Sequence, residues 1–391
     1  GDFVSKIPSN VEKYLGIPIP TSENFDIIVR SPGVPTTHSV IKQFNQAHLS
    51  SVTKIFFDEC PCPIIGVTGT KGKGTTSTLI YEILKRAGKD VFLCGNIGNS
   101  PLDFLPEVKP DSLVVLELSS FQLMGLDISP HIGVVLMVTS EHLNWHRDLD
   151  DYVEAKSAIV ANQVESDYAV VNADYPNSKK IGEKSRGKIF FFSTTTKANG
   201  SYLENGEIIS EVDAQCKVAD ISDVLLPGRH NLQNILAAVT VAQILKISKE
   251  DIVSTLQTFK GLAHRLELVA EVLGVKFYDD SFSTTPETTI AAIEAFGNPK
   301  IVILGGSSKN SDFLQLAEKI HSSTSVKAII LIGDEARVIK SAIESAGGTG
   351  AKLIEGLSNM SSIVKAAAEV SRKGDVVLLT PACASFGMFK N

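Results

Sequence analysis

Apolar residues in this chain fall into short, nearly continuous runs instead of strict alternation. Such runs are typical of parallel strands covered by helices on both faces of a sheet. The segments are FDIIVRS, PIIGVTG, SLVVLELSS, HIGVVLMV, DYAVVNA, VKFYDD, KIVILGG, VKAIILIGD and GDVVLLTP. Amphipathic stretches lie between many of them, as where Leu79, Ile80, Ile83, Leu84 and Ala87 share one helical face. This alternation predicts a doubly wound α/β architecture.

One segment departs from the alternation and predicts an insertion. GKIFFFSTTTKANGSYLENGEIISEV carries Asn205-Gly206 between two β-like stretches, which is a strong hairpin signal. We therefore expect a small antiparallel β insertion at the edge of a middle domain. The strand-helix alternation restarts after TFKGLAHRLELV, which we interpret as a junction.

The chain length and these breaks predict more than one domain. At 391 residues the chain is too long for one ordinary hydrophobic core. We predict a partial N-terminal domain at 1–57, a central domain at 58–261 and a C-terminal domain at 262–391.

Charge and composition exclude some classes of function. A net charge of -7 argues against a protein that binds nucleic acid through a basic face. No apolar run reaches the roughly 18 residues of a membrane span, and the first residues do not form a secretion signal. The five cysteines are scattered, and although Cys60 and Cys62 flank Pro61, no second pair follows at metal-ligand spacing. We favour inert thiols over a metal or disulfide role, and expect a reduced, cytoplasmic protein without membrane or nucleic-acid partners.

The stretch GTKGKGTT predicts a phosphate-binding loop. It follows a buried strand and opens a helix, so its backbone N–H groups and the helix dipole can face an anion. The usual pattern has Ser or Thr directly after the lysine, whereas here Gly74 follows Lys73 and the hydroxyl moves to Thr75. Nucleotide binding is favoured over an ordinary tight turn.

Polar residues at the ends of the next strands are candidates for the same site. Glu117 ends SLVVLE at the sheet edge where ligands bind, a suitable place to hold the Mg²⁺ that accompanies ATP. The alternative is that Glu117 is a structural carboxylate whose hydrogen bonds are satisfied within the protein. His142 lies at the same edge, although a lone histidine is more often structural, and Lys156 alone would be an ordinary surface lysine.

Further polar residues stand in the second half of the chain. Asn231 and Asn234 lie three apart at the start of a helix, where they could cap it or contact an adenine edge. Strand ends and loops of the last domain carry Arg265, Asp280, Lys309 and Ser385. Their equivalent positions predict a ligand face without defining the ligand.

These motifs together resemble a known family. The segments that carry the resemblance are VRSPGVP, GVTGTKGKGTT, CGNIGNSP, LELSSFQL, TSEHLNWH, YVEAKSAI, LPGRHNLQNILAA, LAHRLELV, ILGGSSKNSDF and LLTPACASFGMFKN. In this order, and over nearly the whole chain, they resemble the Mur ligases, and within them the branch that adds glutamate. LELSSFQL and PACASFGMFKN are specific to that branch, whereas the phosphate loop alone is not.

The resemblance implies a fold and a reaction. The fold would have a P-loop central domain, a Rossmann-like C-terminal domain and an N-terminal domain that is incomplete here. The enzyme would use ATP to phosphorylate the carboxylate of UDP-N-acetylmuramoyl-L-alanine. The amine of glutamate would then attack the acyl phosphate to give an amide, ADP and phosphate. The expected partners are these small molecules, and the expected state is a cytoplasmic monomer.

The resemblance also assigns residues to roles. The catalytic residues would be Lys73, Glu117, His142 and Lys156. The ATP contacts would be Gly69, Thr70, Lys71, Gly72, Lys73, Gly74, Thr75, Asn231, Asn234, Arg265 and Asp280. Two Mg²⁺ ions would be held by Thr75, Glu117, His142 and Lys156, with Lys156 carbamylated by CO₂. The UDP-linked substrate would contact Ser31, Pro32, Gly33, Asn96, Ser119 and Gln122. The amino-acid pocket would contain Thr284, Lys309, Ser385 and Phe386.

Two departures from the family pattern keep alternatives open. Gly74 gives the loop form that is also seen in folylpolyglutamate synthases, a sister branch. In DDSFSTTPE, Phe282 stands where the D-glutamate enzymes typically have lysine, which is more similar to a subgroup proposed to add L-glutamate. The alternatives are therefore an L-glutamate ligase, a folylpolyglutamate-synthase-like ligase, and a nucleotide-gated binding protein without ligase activity.

Overall fold

The structure is a computed structural model that describes residues 25–35, 38–44, 48–142, 145–308 and 311–385. Near its start, strands β1 (Ile27–Arg30) and β2 (His48–Ser51) form a parallel two-stranded sheet. A 3-10 turn (Ile41–Gln43) lies between them. Helix α1 (Val52–Glu59) begins where the Ser51 side chain accepts a hydrogen bond from the Lys54 N–H. This helix leads into the central sheet.

The central sheet has six parallel strands in the order β4-β5-β3-β6-β7-β8. The strands are β3 (Ile64–Thr68), β4 (Val91–Gly95), β5 (Leu113–Glu117), β6 (Ile132–Val135), β7 (Tyr168–Asn172) and β8 (Lys188–Phe192). The helices that connect them are α2 (Lys73–Arg86), α3 (Pro101–Phe104), α4 (Ser120–Leu123), α5 (Leu149–Ala161) and α6 (Pro176–Gly182). A 3-10 turn (Leu105–Glu107) follows α3.

Neighbouring residues of one central strand are buried in different cores. Val115 packs in the core beneath α2, whereas Val114 and Leu116 pack in the core beneath α5. Side chains of a strand alternate between the two faces, so helices must cover both. This explains why the strands have continuous apolar runs, and it confirms the predicted doubly wound architecture.

A small antiparallel sheet follows the central strands. Its strands are β9 (Ser201–Glu204), β10 (Glu207–Ser210) and β11 (Cys216–Asp220). Asn205 and Gly206 both have positive φ, 50° and 81°, as a tight two-residue hairpin requires. A 3-10 turn (Ile221–Asp223) and helices α7 (Arg229–Ile244) and α8 (Lys249–Leu256) complete this region. The predicted hairpin is thus confirmed.

One part of that prediction is wrong. The segment KIFFF was expected to belong to the antiparallel insertion, but it forms β8, the edge strand of the parallel sheet. Its register pairs Lys188 with Tyr168 and Phe192 with Asn172. A run of apolar residues does not reveal whether its hydrogen-bonding partner is parallel or antiparallel, so this assignment needed the tertiary structure.

The last part of the described chain forms a second six-stranded sheet in the order β12-β13-β17-β14-β15-β16. The strands are β12 (Glu267–Val272), β13 (Val275–Asp279), β14 (Lys300–Gly305), β15 (Val326–Ile332), β16 (Lys352–Ile354) and β17 (Val376–Leu379). The helices are α9 (Pro286–Glu294), α10 (Leu314–Ser322), α11 (Ala336–Ser345) and α12 (Met360–Val370). Only the β12–β13 pair is antiparallel in this sheet, and β12 is an exposed edge strand.

Two features of the fold bear on the site. Strand β3 ends at Thr68 and chain residues 69–72 lead directly into α2, so the phosphate-loop sequence lies at the carboxyl edge of the sheet. On β6, an added Cβ at Gly133 would lie 2.7 Å from the Ile159 carbonyl oxygen of α5. Glycine at this position therefore allows α5 to approach the sheet closely. In the described residues, no helix has the length and apolar character needed to cross a bilayer.

Candidate active site

The phosphate loop holds its lysine against its own backbone. The Lys73 Nζ atom donates hydrogen bonds to the carbonyl oxygens of Gly69 and Thr70, at 2.9 and 3.1 Å. Burial lowers the pKa of Lys73, while the negative charges of Glu117 and Glu141 act in the opposite direction. The lysine is therefore held in the loop, where it can contact an anion.

The first residues of α7 pack on the phosphate loop. Gly72 has a φ of 87°, and an added Cβ would lie 2.2 Å from the Asn234 side-chain oxygen. The Asn234 amide donates to the Asn231 side-chain oxygen at 2.9 Å, and Asn231 donates to the Pro227 carbonyl at 2.5 Å. Only glycine fits at position 72, because both the backbone conformation and the available space exclude a side chain.

Gly74 faces the carboxylate that ends β5. An added Cβ at Gly74 would lie 3.3 Å from Glu117 Oε2 and 3.0 Å from Leu262 Cδ1. Asn96, which was predicted to contact the UDP-linked substrate, donates its amide to Glu117 Oε1 at 3.1 Å. The absence of a side chain at position 74 keeps one face of the buried Glu117 carboxylate accessible.

The two candidate hydroxyls of the loop differ in their surroundings. Thr70 is buried, and its hydroxyl lies 3.0 Å from the Tyr152 hydroxyl, accepts from the Thr139 N–H and lies 3.1 Å from the Thr139 carbonyl oxygen. These contacts fix the Thr70 hydroxyl in the protein interior. Both residues line the large cavity described below. The fixed contacts of the Thr70 hydroxyl favour Thr75 as the hydroxyl that is displaced from position 74.

Lys156 is buried beneath the loop, not solvated. Its Nζ atom donates to the Gly69 carbonyl at 3.0 Å and the Thr68 hydroxyl at 3.2 Å, and lies 4.7 Å from the centre of the Tyr152 ring. Within the described part of the chain, no carboxylate lies within 4 Å of this nitrogen. Burial lowers the pKa of Lys156 far below its usual value, and the nearby Lys73 cation adds to this effect. Burial therefore favours the neutral amine of Lys156 over its ammonium form.

His142 lies at the mouth of the loop beside an acid that sequence reasoning missed. Glu141 Oε2 is 3.7 Å from His142 Nε2, and Glu141 Oε1 pairs with Lys71 Nζ at 2.5 Å. His142 has a positive φ of 56°. Desolvation lowers its pKa, the nearby positive charge of Lys73 adds to this effect, and Glu141 opposes the change. The imidazole is therefore neutral, which is the form that binds metals. The only sequence signal for Glu141 was its position next to His142.

Sequence reasoning also missed a buried histidine four residues farther on. His146 Nε2 lies 2.9 Å from the Ser120 hydroxyl, and His146 Nδ1 lies 3.1 Å from Asp151 Oδ2. Burial lowers the pKa of His146, so a neutral ring with its proton on Nδ1 satisfies both partners. His146 thereby connects α4 with α5, the helix that carries Lys156. Nothing in the sequence marked these partners: Asp151 lies five residues after His146, and Ser120 lies 26 residues before it.

A cavity of about 840 Å³ opens beside the loop. The residues that were predicted to contact the nucleotide and that line this cavity are Thr70, Lys71, Gly72, Thr75, Asn231, Asn234, Arg265 and Asp280. Gly69, Lys73 and Gly74 do not line it. Residues that were not predicted extend it, namely Asn172, Tyr175, Thr194 and Gln233. The space is large enough for a nucleotide and part of a second small molecule.

The residues predicted to contact the UDP-linked substrate lie outside this cavity. Residues 31–33 form a turn in which the Gly33 carbonyl accepts a hydrogen bond from the Trp145 indole at 3.1 Å. The buried Arg30 guanidinium donates to the Met124 carbonyl at 2.9 Å. Ser119 and Gln122 form a capping box at the start of α4, so their side chains bind each other.

The predicted amino-acid pocket is only partly described. Lys309 and Phe386 lie outside the described residues, and Thr284 and Ser385 do not line the cavity. Phe282 does line it, and the Arg265 guanidinium carbon lies 5.2 Å from the centre of its ring. Asp280 accepts hydrogen bonds from the Thr380 hydroxyl and the Leu266 N–H. Burial nevertheless raises the pKa of Asp280.

Comparison with known proteins agrees with this geometry. The profile of the Mur ligase middle domain matches residues 67–242, and that of the Mur ligase, glutamate ligase domain matches residues 264–383. The MurF ligase of Thermotoga maritima, solved in complex with ADP, has a TM-score of 0.62 at 21% identity over 92% of both chains. The UDP-N-acetylmuramate-alanine ligase MurC of the same organism has a TM-score of 0.64 at 19% identity, covering 91% of this chain and 82% of that one. At these identities the two structures show the fold alone.

The fold, the phosphate loop and both profiles define the class: this chain belongs to the Mur ligase family of enzymes. Its similarity to individual relatives is more specific. The UDP-N-acetylmuramoylalanine–D-glutamate ligase of Clostridioides difficile (strain 630) is 39% identical, covering 94% of this chain and 82% of that protein. The ligase of the same name from Geobacillus kaustophilus (strain HTA426) is 41% identical, covering 94% and 81%. The predicted family and branch are confirmed.

We predict that Thr75→Ala raises the Mg²⁺ concentration needed for half-maximal activity by about tenfold, because a loop hydroxyl that we expect to hold Mg²⁺ together with Glu117 is lost. Mg²⁺ titrations of ATP hydrolysis would measure the change. Thr75→Ser, which retains the hydroxyl, is the matched control and should titrate as the parent protein does. An unchanged titration of the alanine variant would place the metal-bound hydroxyl elsewhere.

We predict that His146→Gln lowers the free energy of unfolding by about 1–3 kcal/mol, because Ser120 and Asp151 lose their buried partner. Urea denaturation would measure this loss. The same substitution in a Ser120→Ala background should cost less, since one of the two hydrogen bonds is already absent. An equal cost in both backgrounds would show that the Ser120–His146 contact contributes nothing to stability.

Proposed function

We propose that this chain is the ATP-dependent ligase that adds glutamate to UDP-N-acetylmuramoyl-L-alanine in peptidoglycan precursor synthesis. The observation that carries the proposal is the convergence of Lys73, Glu117 and the buried Lys156 at one edge of the central sheet. The names of its relatives at 39% and 41% identity supply the substrate and favour D-glutamate.

The chemistry requires a phosphate donor, because a carboxylate is a poor acyl donor. Phosphorylation by ATP turns one carboxylate oxygen into a leaving group, and attack by the glutamate amine then forms the amide with release of phosphate. Negative charge accumulates on the transferred group, so cations must surround it. Lys73 in the loop and Lys71 at its mouth are suited to this role.

The acidic and neutral donors at the loop fit two Mg²⁺ ions. Thr75 and Glu117 would hold the first, where Gly74 leaves the carboxylate accessible. His142 would hold the second together with Lys156, and Glu141 is an additional carboxylate within reach of His142. When bound, the ions neutralise phosphate charge. Carboxylate and neutral imidazole are suitable donors for such ions.

Lys156 fits the predicted carbamate. An amine must be uncharged to react with CO₂, and burial lowers the pKa of Lys156 and so favours this state. The product is an anionic oxygen ligand in place of an ammonium group. This explains why a lysine without a carboxylate partner lies at a place where a metal site needs negative charge.

The cavity suggests an orientation for ATP. Its phosphates would lie at Gly72 and Thr75, and its base would lie toward Asn172 and Gln233, whose side chains can hydrogen-bond a purine. Arg265 and Asp280 from the C-terminal sheet line the same cavity, so substrate could be enclosed between the two sheets. The two domain boundaries, the cytoplasmic location and the monomeric state stay predictions.

The decisive assay compares D-glutamate and L-glutamate side by side with UDP-N-acetylmuramoyl-L-alanine and ATP. We expect phosphate release that needs both the nucleotide-sugar substrate and D-glutamate. A preference for L-glutamate would instead support the alternative raised by Phe282. Turnover with a pteroate substrate would indicate the folylpolyglutamate-synthase-like alternative, and nucleotide binding without amino-acid-dependent turnover would indicate a switch protein.

We predict that Lys156→Ala lowers activity by about a hundredfold or more, because the proposed metal ligand is lost. Added formate or acetate should restore part of the activity by supplying a carboxylate in the space that the side chain leaves. Steady-state phosphate release would measure both effects. Lys179→Ala, at an exposed lysine of α6, is the control and should be unaffected. Full activity of Lys156→Ala without added acid would exclude the carbamate.

A further inference from the structure

Cys60 and Cys62 form a close pair of thiols between α1 and β3. Their sulfur atoms are 3.8 Å apart. The Cys60 N–H donates to the Phe56 carbonyl at 2.9 Å, which ends α1, and Cys62 stands two residues before β3. Cys62 is 8% exposed and Cys60 is half-buried, so one sulfur can be reached from solvent while the other lies behind it.

The two thiols have opposite acid-base properties. The hydrogen bond from the Cys62 thiol lowers the pKa of Cys60 to about 7, although burial acts against this change. The same contact raises the pKa of Cys62. Cys60 therefore has substantial thiolate character near neutral pH, and its partner keeps its proton. A reactive thiolate beside a protonated second thiol is the arrangement that favours disulfide formation after oxidation.

Cys94, the third cysteine of this region, is less reactive than Cys60. Cys94 is fully buried in the same core, and burial raises its pKa to about 12. It is therefore a poor nucleophile. Closing the Cys60–Cys62 bond requires the sulfur atoms to approach from 3.8 Å to roughly 2.05 Å, a distance that side-chain rotation can supply.

We propose that Cys60 and Cys62 are a redox modification site that a hydroperoxide converts into an intramolecular disulfide. The Cys60 thiolate attacks the peroxide O–O bond and forms a sulfenic acid, with water (or an alcohol) as the reduced product. The Cys62 sulfur then attacks the Cys60 sulfur, forms the S–S bond and releases a second molecule of water. Two thiols are oxidised and one peroxide is reduced. A low-molecular-weight thiol reverses the reaction by disulfide exchange.

This site is separate from the proposed ligase chemistry. It lies before β3, whereas the phosphate loop follows the opposite end of that strand. Neither thiol lines the large cavity. The inference therefore does not rest on the proposed function, and thiol chemistry can test it without an activity assay.

The test treats the folded protein with hydrogen peroxide, blocks remaining thiols with N-ethylmaleimide and measures intact and peptide masses. We expect the peptide spanning 55–71, which contains both cysteines, to lose two hydrogens and to escape alkylation. Dithiothreitol should restore two alkylatable thiols. In Cys62→Ser, the sulfenic acid on Cys60 should persist and be trapped by a cyclic 1,3-dione.

Two further variants test whether Cys60 is the thiol that reacts first with peroxide. Cys60→Ser should leave Cys62 unoxidised at the same peroxide concentration, and Cys216→Ser, at an exposed cysteine on β11, should behave as the parent protein does. Thermal melting would verify that each variant is folded. Oxidation of Cys216 ahead of Cys60, a disulfide that includes Cys94, or over-oxidation of Cys60 without a disulfide would each overturn the proposal.

Discussion

Two lysine side chains, those of Lys73 and Lys156, donate hydrogen bonds to the same carbonyl oxygen, and the electrostatics of the phosphate loop depends on this shared contact. The Gly69 carbonyl accepts hydrogen bonds from Lys73 Nζ at 2.9 Å and from Lys156 Nζ at 3.0 Å. Two ammonium cations so close together in a buried place would repel each other strongly. Burial and the neighbouring charge of Lys73 both lower the pKa of Lys156, the more deeply buried of the two. The arrangement therefore favours loss of a proton from Lys156.

This arrangement needs close packing on both sides of β3. On one side, the Asn234 side chain of α7 packs so closely against Gly72 that no space remains for a Cβ atom at this position. On the other, Gly133 lets α5 approach the sheet closely enough for Lys156 to reach Gly69. The glycines thus contribute to the burial of Lys156, and this burial is what lowers its pKa.

The sequence predicted the parts of the molecule that have a local signature. Buried strands have continuous apolar runs, the phosphate loop has its glycines and lysine, and Asn205-Gly206 marks a hairpin. The pairing of KIFFF was predicted wrongly, because a strand partner is chosen by tertiary structure. Glu141 and Tyr152 were missed because their partners Lys71 and Thr70 are distant along the chain, and His146 was missed because Ser120, one of its two partners, is also distant. The roles assigned to Lys73, Glu117, His142 and Lys156 depended on family resemblance and stay proposals for this chain.

Hydrogen bonds of His142, Trp145 and His146 connect the candidate metal site with the Gly33 turn and with helices α4 and α5. The His142 carbonyl accepts backbone hydrogen bonds from Trp145 and His146. The Trp145 indole contacts Gly33, in the turn predicted to meet the UDP-linked substrate, while His146 is anchored to α4 and α5. A substitution at Trp145 or His146 would therefore disturb contacts that link Gly33, His142, α4 and α5, so its effect on stability would not be confined to one of these places.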